Sequence, residues 1–456
     1  MNSSSPISIN DDLILDIISR LPSESIARFR CLSKQWASML NTSPYFKELF
    51  QTRSSAKPHL IFAIVEKGVW SFFSLPQLEN PYEQSNLVAA ADFHVKFSHD
   101  DLQTNHSDDI RNFSYSYASG LFFLHGCGGQ DRALTSNPIT GRYAILPYTY
   151  KNLLCCYGFD PIDKQYKALR MASPFDHETL TIGDGDMKWR KVKCSLPHAI
   201  MSEGICINGV LYYIGYTAST WIIVCFDLRS EKFTFIGVES LGKLINYKGK
   251  LALIHMGNEY AATKELHMWV LDDIEKNEWS KYAYILTDDK FFCRHVRIAG
   301  ATTWGEIVIS IHKYKPKQLF YVLYFNPERN TLKRVEIIGQ ENVKEFIRHL
   351  NSSVIGLNIL SSLLNSSVIG LKCLEIVTSL WSHLNWNPLD QISQLDFHSQ
   401  LSQPRLQYPP KGFREAVKYR CTAFTFVNHV EDLDVNDLKL LKSVHPPLTE
   451  PNYAEE

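Results

Sequence analysis

None of the ten cysteines forms a Cys-x-x-Cys pair, so neither a zinc ribbon nor a disulfide framework is indicated; reduced, mostly buried thiols are expected. No sign of charge is in excess. The 47 basic and 48 acidic residues leave a net charge of −1, which argues against a duplex-binding surface or an acidic tail. A secretory signal is missing: the first basic residue is Arg20, and Asp11, Asp12 and Asp16 interrupt the apolar stretch before it. The six Asn-x-Ser/Thr triplets therefore read as compositional accidents. The 22 uncharged residues Leu350 to Leu371 carry six serines and three asparagines and make a poor lipid-spanning helix. There is no Gly-x-Ser-x-Gly elbow and no His-Glu-x-x-His, and the 16 histidines fall into no ligand-spaced group. The expectation is a soluble, non-catalytic chain of the cytoplasm or nucleus, with no cofactor, no metal, no nucleic acid and no membrane.

What the chain does have, near its start, is helical patterning. Leu13, Ile14, Ile17, Ile18 and Leu21 recur at helical spacing, with Asp11, Asp12, Asp16 and Arg20 between them. Ser8 with Asp11, or Asn10 alone, supplies the start signal, and Pro22 stops the helix because the residue before proline avoids the helical region. Ser23 can cap a second helix carrying Ile26, Ala27 and Phe29, and Ser33 a third carrying Trp36, Met39 and Leu40. Three short helices in about forty residues bury too little apolar surface to stand alone. Such a unit needs a partner.

Residues 8–50 resemble an F-box. The carriers are the apolar helix ending in Leu21-Pro22, the basic and aromatic Ala27-Arg28-Phe29-Arg30, then Cys31-Leu32-Ser33-Lys34-Gln35-Trp36, with Ser43-Pro44-Tyr45-Phe46 similar to the segment that closes the motif in plant members. One departure is visible: F-boxes often open with Leu-Pro where Ile9-Asn10 stand here, and Asn10 is an adequate cap. The resemblance implies that Leu13, Ile14, Ile17, Leu21, Pro22, Ile26, Arg28, Cys31 and Leu32 meet helices of a Skp-type adaptor, and through it a cullin scaffold, while Phe29 and Trp36 pack internally. Arg28, Arg30 and Lys34 either steer an acidic adaptor or form a solvated face.

Past a polar link at 51–57, helical periodicity largely disappears until about residue 342. Glycine turns lead into apolar runs at Gly120, Gly209, Gly249 and Gly305. A second signal, strand then Asx turn then strand, recurs at Asn137, Asp160, Asp227, Asp272 and Asn326. Asn137 and Asp227 are 90 residues apart, twice a period near 45, which suits β-propeller blades of about four strands. One small twisted sheet cannot cover both its faces, so copies stack around an axis. A sandwich with irregular hairpins would give similar local signals; the propeller is the preferred reading.

The same segments resemble the F-box-associated domain of plant F-box proteins. They run Asn137-Pro138-Ile139-Thr140-Gly141 with Leu146-Pro147, Tyr157-Gly158-Phe159-Asp160-Pro161 with Tyr166-Lys167, and Trp189-Arg190. Asn208-Gly209-Val210-Leu211-Tyr212-Tyr213 follows, then Phe226-Asp227-Leu228 with Glu231-Lys232-Phe233. In that family the domain is taken to bind the target protein; nothing in the chain names the target.

The expected fold class is α+β, a small three-helix F-box followed by a large all-β, propeller-like domain. The divisions are a disordered N-terminus at 1–7, the F-box at 8–50, a linker at 51–57 and the β-repeat domain at 58–341. An irregular region follows at 342–445, with LNSSVIGL at 350–357 repeated at 364–371, and a disordered tail at 446–456. Asp184-Gly185-Asp186 reads as a hairpin turn rather than a calcium loop, because no further oxygen ligands flank it. His125-Gly126-Cys127-Gly128-Gly129 reads as an inter-strand loop rather than a phosphate cradle. Trp189, Trp221, Trp269, Trp279 and Trp304 read as blade core. The function expected is the substrate-recognition subunit of a Skp–cullin–F-box ubiquitin ligase. The alternatives are an adaptor-binding protein that never assembles with a cullin and, third, a propeller enzyme acting on sugars.

Overall fold

The computed structural model describes residues 11–66, 69–82, 87–97, 114–125, 133–147, 155–173, 176–183, 187–238, 240–257, 264–286, 296–314, 320–339, 421–436 and 440–441. The expected N-terminal and C-terminal tails, the LNSSVIGL duplication, Asp184–Asp186 and most of the loop after His125 lie outside them.

Four helices come first, not three: α1 (Asp11–Ile18), α2 (Ser23–Leu32), α3 (Lys34–Thr42) and α4 (Pro44–Ala56). Ser33 caps α3 by accepting the Trp36 N–H at 3.2 Å, as its position predicts. Ser43 caps α4 through the Phe46 N–H at 3.2 Å, with Pro44 pre-set in the first turn. The expected linker at 51–57 is instead mostly the last turns of α4. Arg53 there turns back to Asp16, bonding its carboxylate and, at 2.5 Å, its backbone carbonyl. Ser23 does not cap α2 with its side chain; it is the first helical residue.

Among the described residues the strands form a propeller of six blades, which decides against the sandwich. The strands in chain order are β1 (His59–Glu66), β2 (Val69–Pro76) and β3 (Leu87–Phe97), then blade 1 with β4 (Ser114–Ala118), β5 (Leu121–His125), β6 (Ala133–Ser136) and β7 (Tyr143–Leu146). Blade 2 holds β8 (Cys155–Asp160), β9 (Gln165–Ser173), β10 (Asp176–Ile182) and β11 (Arg190–Val192). Blade 3 holds β12 (Ala199–Ile200), β13 (Ile205–Ile207), β14 (Val210–Tyr216), β15 (Trp221–Asp227) and β16 (Phe233–Gly237). Blade 4 holds β17 (Lys243–Tyr247), β18 (Lys250–Met256), β19 (Lys264–Asp273) and β20 (Glu278–Leu286). Blade 5 holds β21 (Val296–Ala301), β22 (Ile307–Ile311), β24 (Phe320–Asn326) and β25 (Thr331–Gly339), with β23 (Lys313–Tyr314) crossing to the next blade. β26 (Cys421–His429) pairs with β1 and completes a closing blade in the order β26-β1-β2-β3. The innermost strands β4, β8, β13, β17, β21 and β26 take their places around the axis. A parallel pairing of β25 with β3 joins blade 5 to the closing blade at their outer edges.

The region 342–445, expected to be irregular, therefore holds a strand of the propeller and, at Leu433–Asn436, a short helix α5. β26 is buried where Phe424 lies 5.5 Å from Trp70 and Phe426 5.4 Å from Phe122, ring to ring. These aromatics weld the closing blade to blade 1, where Phe72 also meets Phe122 edge-on at 5.1 Å.

The repeat signals sort by hairpin. Gly120, Gly209 and Gly249 follow Ser119, Asn208 and Lys248, and both members of each pair have positive φ, the tight turn that matches strand twist. They join β4 to β5 in blade 1, β13 to β14 in blade 3 and β17 to β18 in blade 4. The Asx turns at Asn137, Asp227 and Asn326 join the last two strands; each carboxylate or amide oxygen accepts a backbone N–H two or three residues on. Each is followed, four positions later, by a residue of positive φ (Gly141, Glu231, Asn330). Two expectations need correcting. In blade 4 the turn residue is Asp273, which accepts from Glu275 and Lys276, while Asp272 binds Lys250 and Ser280; a register shift between Leu271 and Asp273 moves the turn by one. Asp160 makes the same Asx turn but between the first two strands of blade 2, so it is out of step with the others.

Candidate functional site

The helical module packs around Leu15, Ile18, Ile26, Leu40, Phe46 and Phe50, with Phe29 and Trp36 against each other at 5.5 Å. Leu433 of α5 completes that core. The C-terminal segment is thus a strap. Glu431 accepts the backbone N–H of Ser23 at 3.2 Å and supplies the acidic cap that α2 lacks from its own sequence. Asp434 pairs with Lys47 of α4 at 2.5 Å and with Lys164 of the β8–β9 turn at 3.6 Å. Val435 and Leu441 enter the core between blades 1 and 2, and the Leu441 carbonyl accepts from Arg142 at 2.6 Å. Asp432, half-buried beside them, has its carboxyl pushed above its ordinary range by desolvation. The Arg53 and, secondarily, Arg20 guanidinium groups hold the Asp16 carboxyl below its ordinary range.

The residues expected to meet an adaptor divide. Leu13 and Ile17 are each 54 % exposed and lie one turn apart on the side of α1 opposite Leu15 and Ile18. Leu32 is 67 % exposed, and Pro22, Arg28 and Cys31 are exposed too. Ile14 and Leu21 are half-buried against the internal core. Ile26 is 0 % exposed and belongs to the core, not to a docking surface. Periodicity marks it as apolar but cannot say which side of α2 is covered by α3 and the strap. The contribution of the strap had no signal in residues 8–50; Leu433-Asp434-Val435 carries only a short, unremarked apolar pattern.

In the propeller, Trp189, Trp221, Trp269 and Trp279 pack against blade cores as expected. Arg170 lies 4.1 Å over Trp189 and Lys281 4.2 Å over Trp269. Near the axis, Tyr115 has Glu203 and Arg297 beside it, and burial pushes its phenol up. Lys243, with Glu203 and Arg297 around it, is held below the ordinary lysine range by burial. The hairpins that hold Gly120, Lys164 and Arg142 share the face that bears the strap and the helical module, because all three residues meet the strap. The described turn between β14 and β15 of blade 3, from Tyr216 to Trp221, lies at the opposite ends of the strands. No helix among the described residues is long and apolar enough to cross a membrane.

An F-box domain is matched at residues 7–48 and an F-box associated beta propeller domain at 59–359. β26 and the strap lie beyond that second match. F-box protein At2g16450 of Arabidopsis thaliana is 48% identical over 498 residues, covering 99% of both chains, and F-box protein At2g15640 of the same plant is 47% identical over 496 residues with the same coverage. Putative F-box protein At2g16220 is 46% identical over 468 residues, covering 98% of this chain and 96% of the relative. An exposed apolar helix face on a module matched as an F-box, carried by a six-bladed sheet matched as its associated propeller, leaves one conclusion: this chain belongs to the plant F-box proteins with an F-box associated beta propeller domain.

Proposed function

We propose that the chain is the substrate-recognition subunit of a Skp–cullin–F-box ubiquitin ligase, its helical module docking to a Skp-type adaptor and its propeller holding the target protein. An F-box joined to an F-box associated propeller supports such a receptor role. The observation that carries the reading is the exposure of Leu13, Ile17 and Leu32 on a module whose own core is already filled by Leu15, Ile18, Ile26 and Leu433. Apolar side chains left outside a complete core mark a surface for another protein. The target is assigned to the propeller face turned away from the helices, where exposed Tyr216 lies 4.8 Å from Trp221, ring centre to ring centre and tilted to it. The chain contributes no chemistry of its own; holding target and ubiquitin-charged enzyme on one scaffold raises the effective concentration of target lysines. Cytoplasm and nucleus are the compartments this reading proposes. The test is co-purification of the full-length protein with adaptor and cullin, set against Leu13→Glu/Ile17→Glu, which changes only exposed positions. Absence of adaptor from the full-length preparation would refute adaptor docking, and equal capture by parent and variant would refute docking through Leu13 and Ile17. Capture of adaptor without cullin would favour the non-degradative reading instead.

A further inference from the structure

The connection from blade 2 to blade 3, Lys193-Cys194-Ser195-Leu196-Pro197-His198, folds back over β10. It brings Cys194 and His198 beside His177, a pair of residues four apart against one seventeen residues earlier. The ligand-capable atoms of the three side chains all lie within 4.8 Å of one another, and among the described residues they are the one such group of His, Cys or carboxylate side chains. The Cys194 sulfur stands 3.7 Å from His198 Nδ1, and the two imidazole rings are 4.3 Å apart, centre to centre. In a tetrahedral zinc site, nitrogen ligands at 2.0–2.1 Å and sulfur at 2.3 Å leave neighbouring ligand atoms about 3.3–3.8 Å apart.

We propose that His177, Cys194 and His198 form a binding site for one zinc ion, clipping blade 2 to blade 3. The donor set, two imidazoles and one thiolate, is the borderline-soft combination that selects zinc over calcium or magnesium. A fourth position faces the Leu196 carbonyl, which lies 2.8 Å from His198 Nδ1 and 3.1 Å from the Cys194 sulfur, or admits water. The support around the ligands is in place. His198 Nε2 lies 2.7 Å from the buried Tyr213 hydroxyl. That hydroxyl can donate to Nε2 or accept from Nε2–H, so Nδ1 is free to coordinate when the proton moves to Nε2. A hydrogen bond of this kind to the outer nitrogen orients metal-bound histidines generally. His177 is fixed by its ladder pairing to Met171 and Val192, and Phe233 and Phe235 wall the site. Entry is by the half-exposed Cys194. On coordination the thiol proton leaves to solvent, and no oxidant or reductant is involved.

The site is independent of the receptor reading above, and its test does not use the adaptor. Full-length protein purified without chelator and without a metal-affinity step is assayed for zinc by elemental mass spectrometry, and chelator-treated protein is titrated with cobalt(II). About one zinc per chain is expected, together with a near-ultraviolet thiolate-to-cobalt band. Cys194→Ser, a near-isosteric change at a half-exposed position, abolishes the band and weakens zinc binding by about 10-fold or more, while Tyr213→Phe weakens it by about 10–100-fold. His267→Ala, which removes one ring of the stacked His255–His267 pair elsewhere, leaves the stoichiometry unchanged. Failure to bind either ion, binding without the thiolate band, or undiminished binding by Cys194→Ser overturns the proposal.

Discussion

The Glu431 carboxylate accepts the backbone N–H of Ser23 at 3.2 Å, joining the first residue of α2 to a strap 408 residues further along the chain. Because Leu433 lies two residues on and is buried among Leu15, Ile18 and Phe46, the same short segment caps a helix and fills its core. Leu433→Ala is expected to cost the module about 2–5 kcal/mol, the range for emptying a buried leucine site. Amide hydrogen exchange is the measurement: residues 11–56 should exchange faster in the variant while blades 3 and 4 keep their protection. Unaltered exchange in the helices would show that the strap does not hold them.

A chain ending at residue 420 lacks β26, the innermost strand of the closing blade. Its loss bares the edge of β1 from His59 to Glu66 and strips Phe424 and Phe426 from Trp70, Tyr115 and Phe122. An uncovered inner edge beside an aromatic cluster invites pairing between molecules. Light scattering should report aggregation, and the cooperative thermal transition should disappear. A peptide spanning 421–441 added in trans should restore solubility by strand addition. A truncated chain that melts like the full protein would contradict this closure.

Ile26 and Leu32 sit on the same helix with opposite duties. Ile26→Ala empties a fully buried site and should lower stability by about 2–5 kcal/mol. Leu32→Ala changes an exposed side chain and should stay within roughly 0.5 kcal/mol of the parent. Urea unfolding decides the first comparison. Adaptor capture decides the second, with Leu32→Glu expected to weaken it at unaltered stability. Equal loss of stability in both alanine variants would mean that Leu32 is covered within the chain.

Two buried histidines make the propeller acid-sensitive. Burial lowers His429 to about 3, with His59 and His94 adding to the effect and the Tyr117 hydroxyl bonded to its ring. Burial lowers His312 to about 4, with Arg297, Lys243 and Lys313 adding to it and the Ala423 carbonyl 3.0 Å from Nδ1 opposing it. Both values lie below the ordinary 6.5, so in acid the unfolded chain takes up protons that the folded chain refuses. The stability they contribute is complete above about pH 6.5 and is lost as pH falls towards 4 and then 3, by up to roughly 1.4 kcal/mol per pH unit for each histidine. Urea midpoints at pH 7, 6 and 5 should therefore fall, and His312→Gln/His429→Gln should flatten the decline. An identical slope in the double variant would assign the acid sensitivity to other groups.

The turn chemistry was legible because it is local. An Asx side chain bonds its own turn, and a glycine following another left-handed residue tightens a hairpin, whatever surrounds them; hence Asn137, Asp227, Asn326, Gly120, Gly209 and Gly249 stand where the repeat predicts. The exceptions at Asp160 and Asp272 have structural causes, a blade whose Asx turn sits in another hairpin and a one-residue register shift. The α4 continuation over 51–56 was hidden because a polar helix with few apolar residues reads as a link. The gathering of His177, Cys194 and His198 was hidden because ladder pairing, not spacing, brings them together.

Local residue chemistry alone determined that helices precede strands, where most blade turns fall, and that the first helices bury too little apolar surface to stand alone. Only the tertiary structure decided which of those apolar side chains stay outside. Leu13, Ile17 and Leu32 remain exposed while Ile26 is enclosed, because Leu433 arrives from the far end of the chain to cover one side of the module and leaves the other bare. Burial depends on which distant segment returns to pack, and no periodicity within residues 8–50 encodes that return.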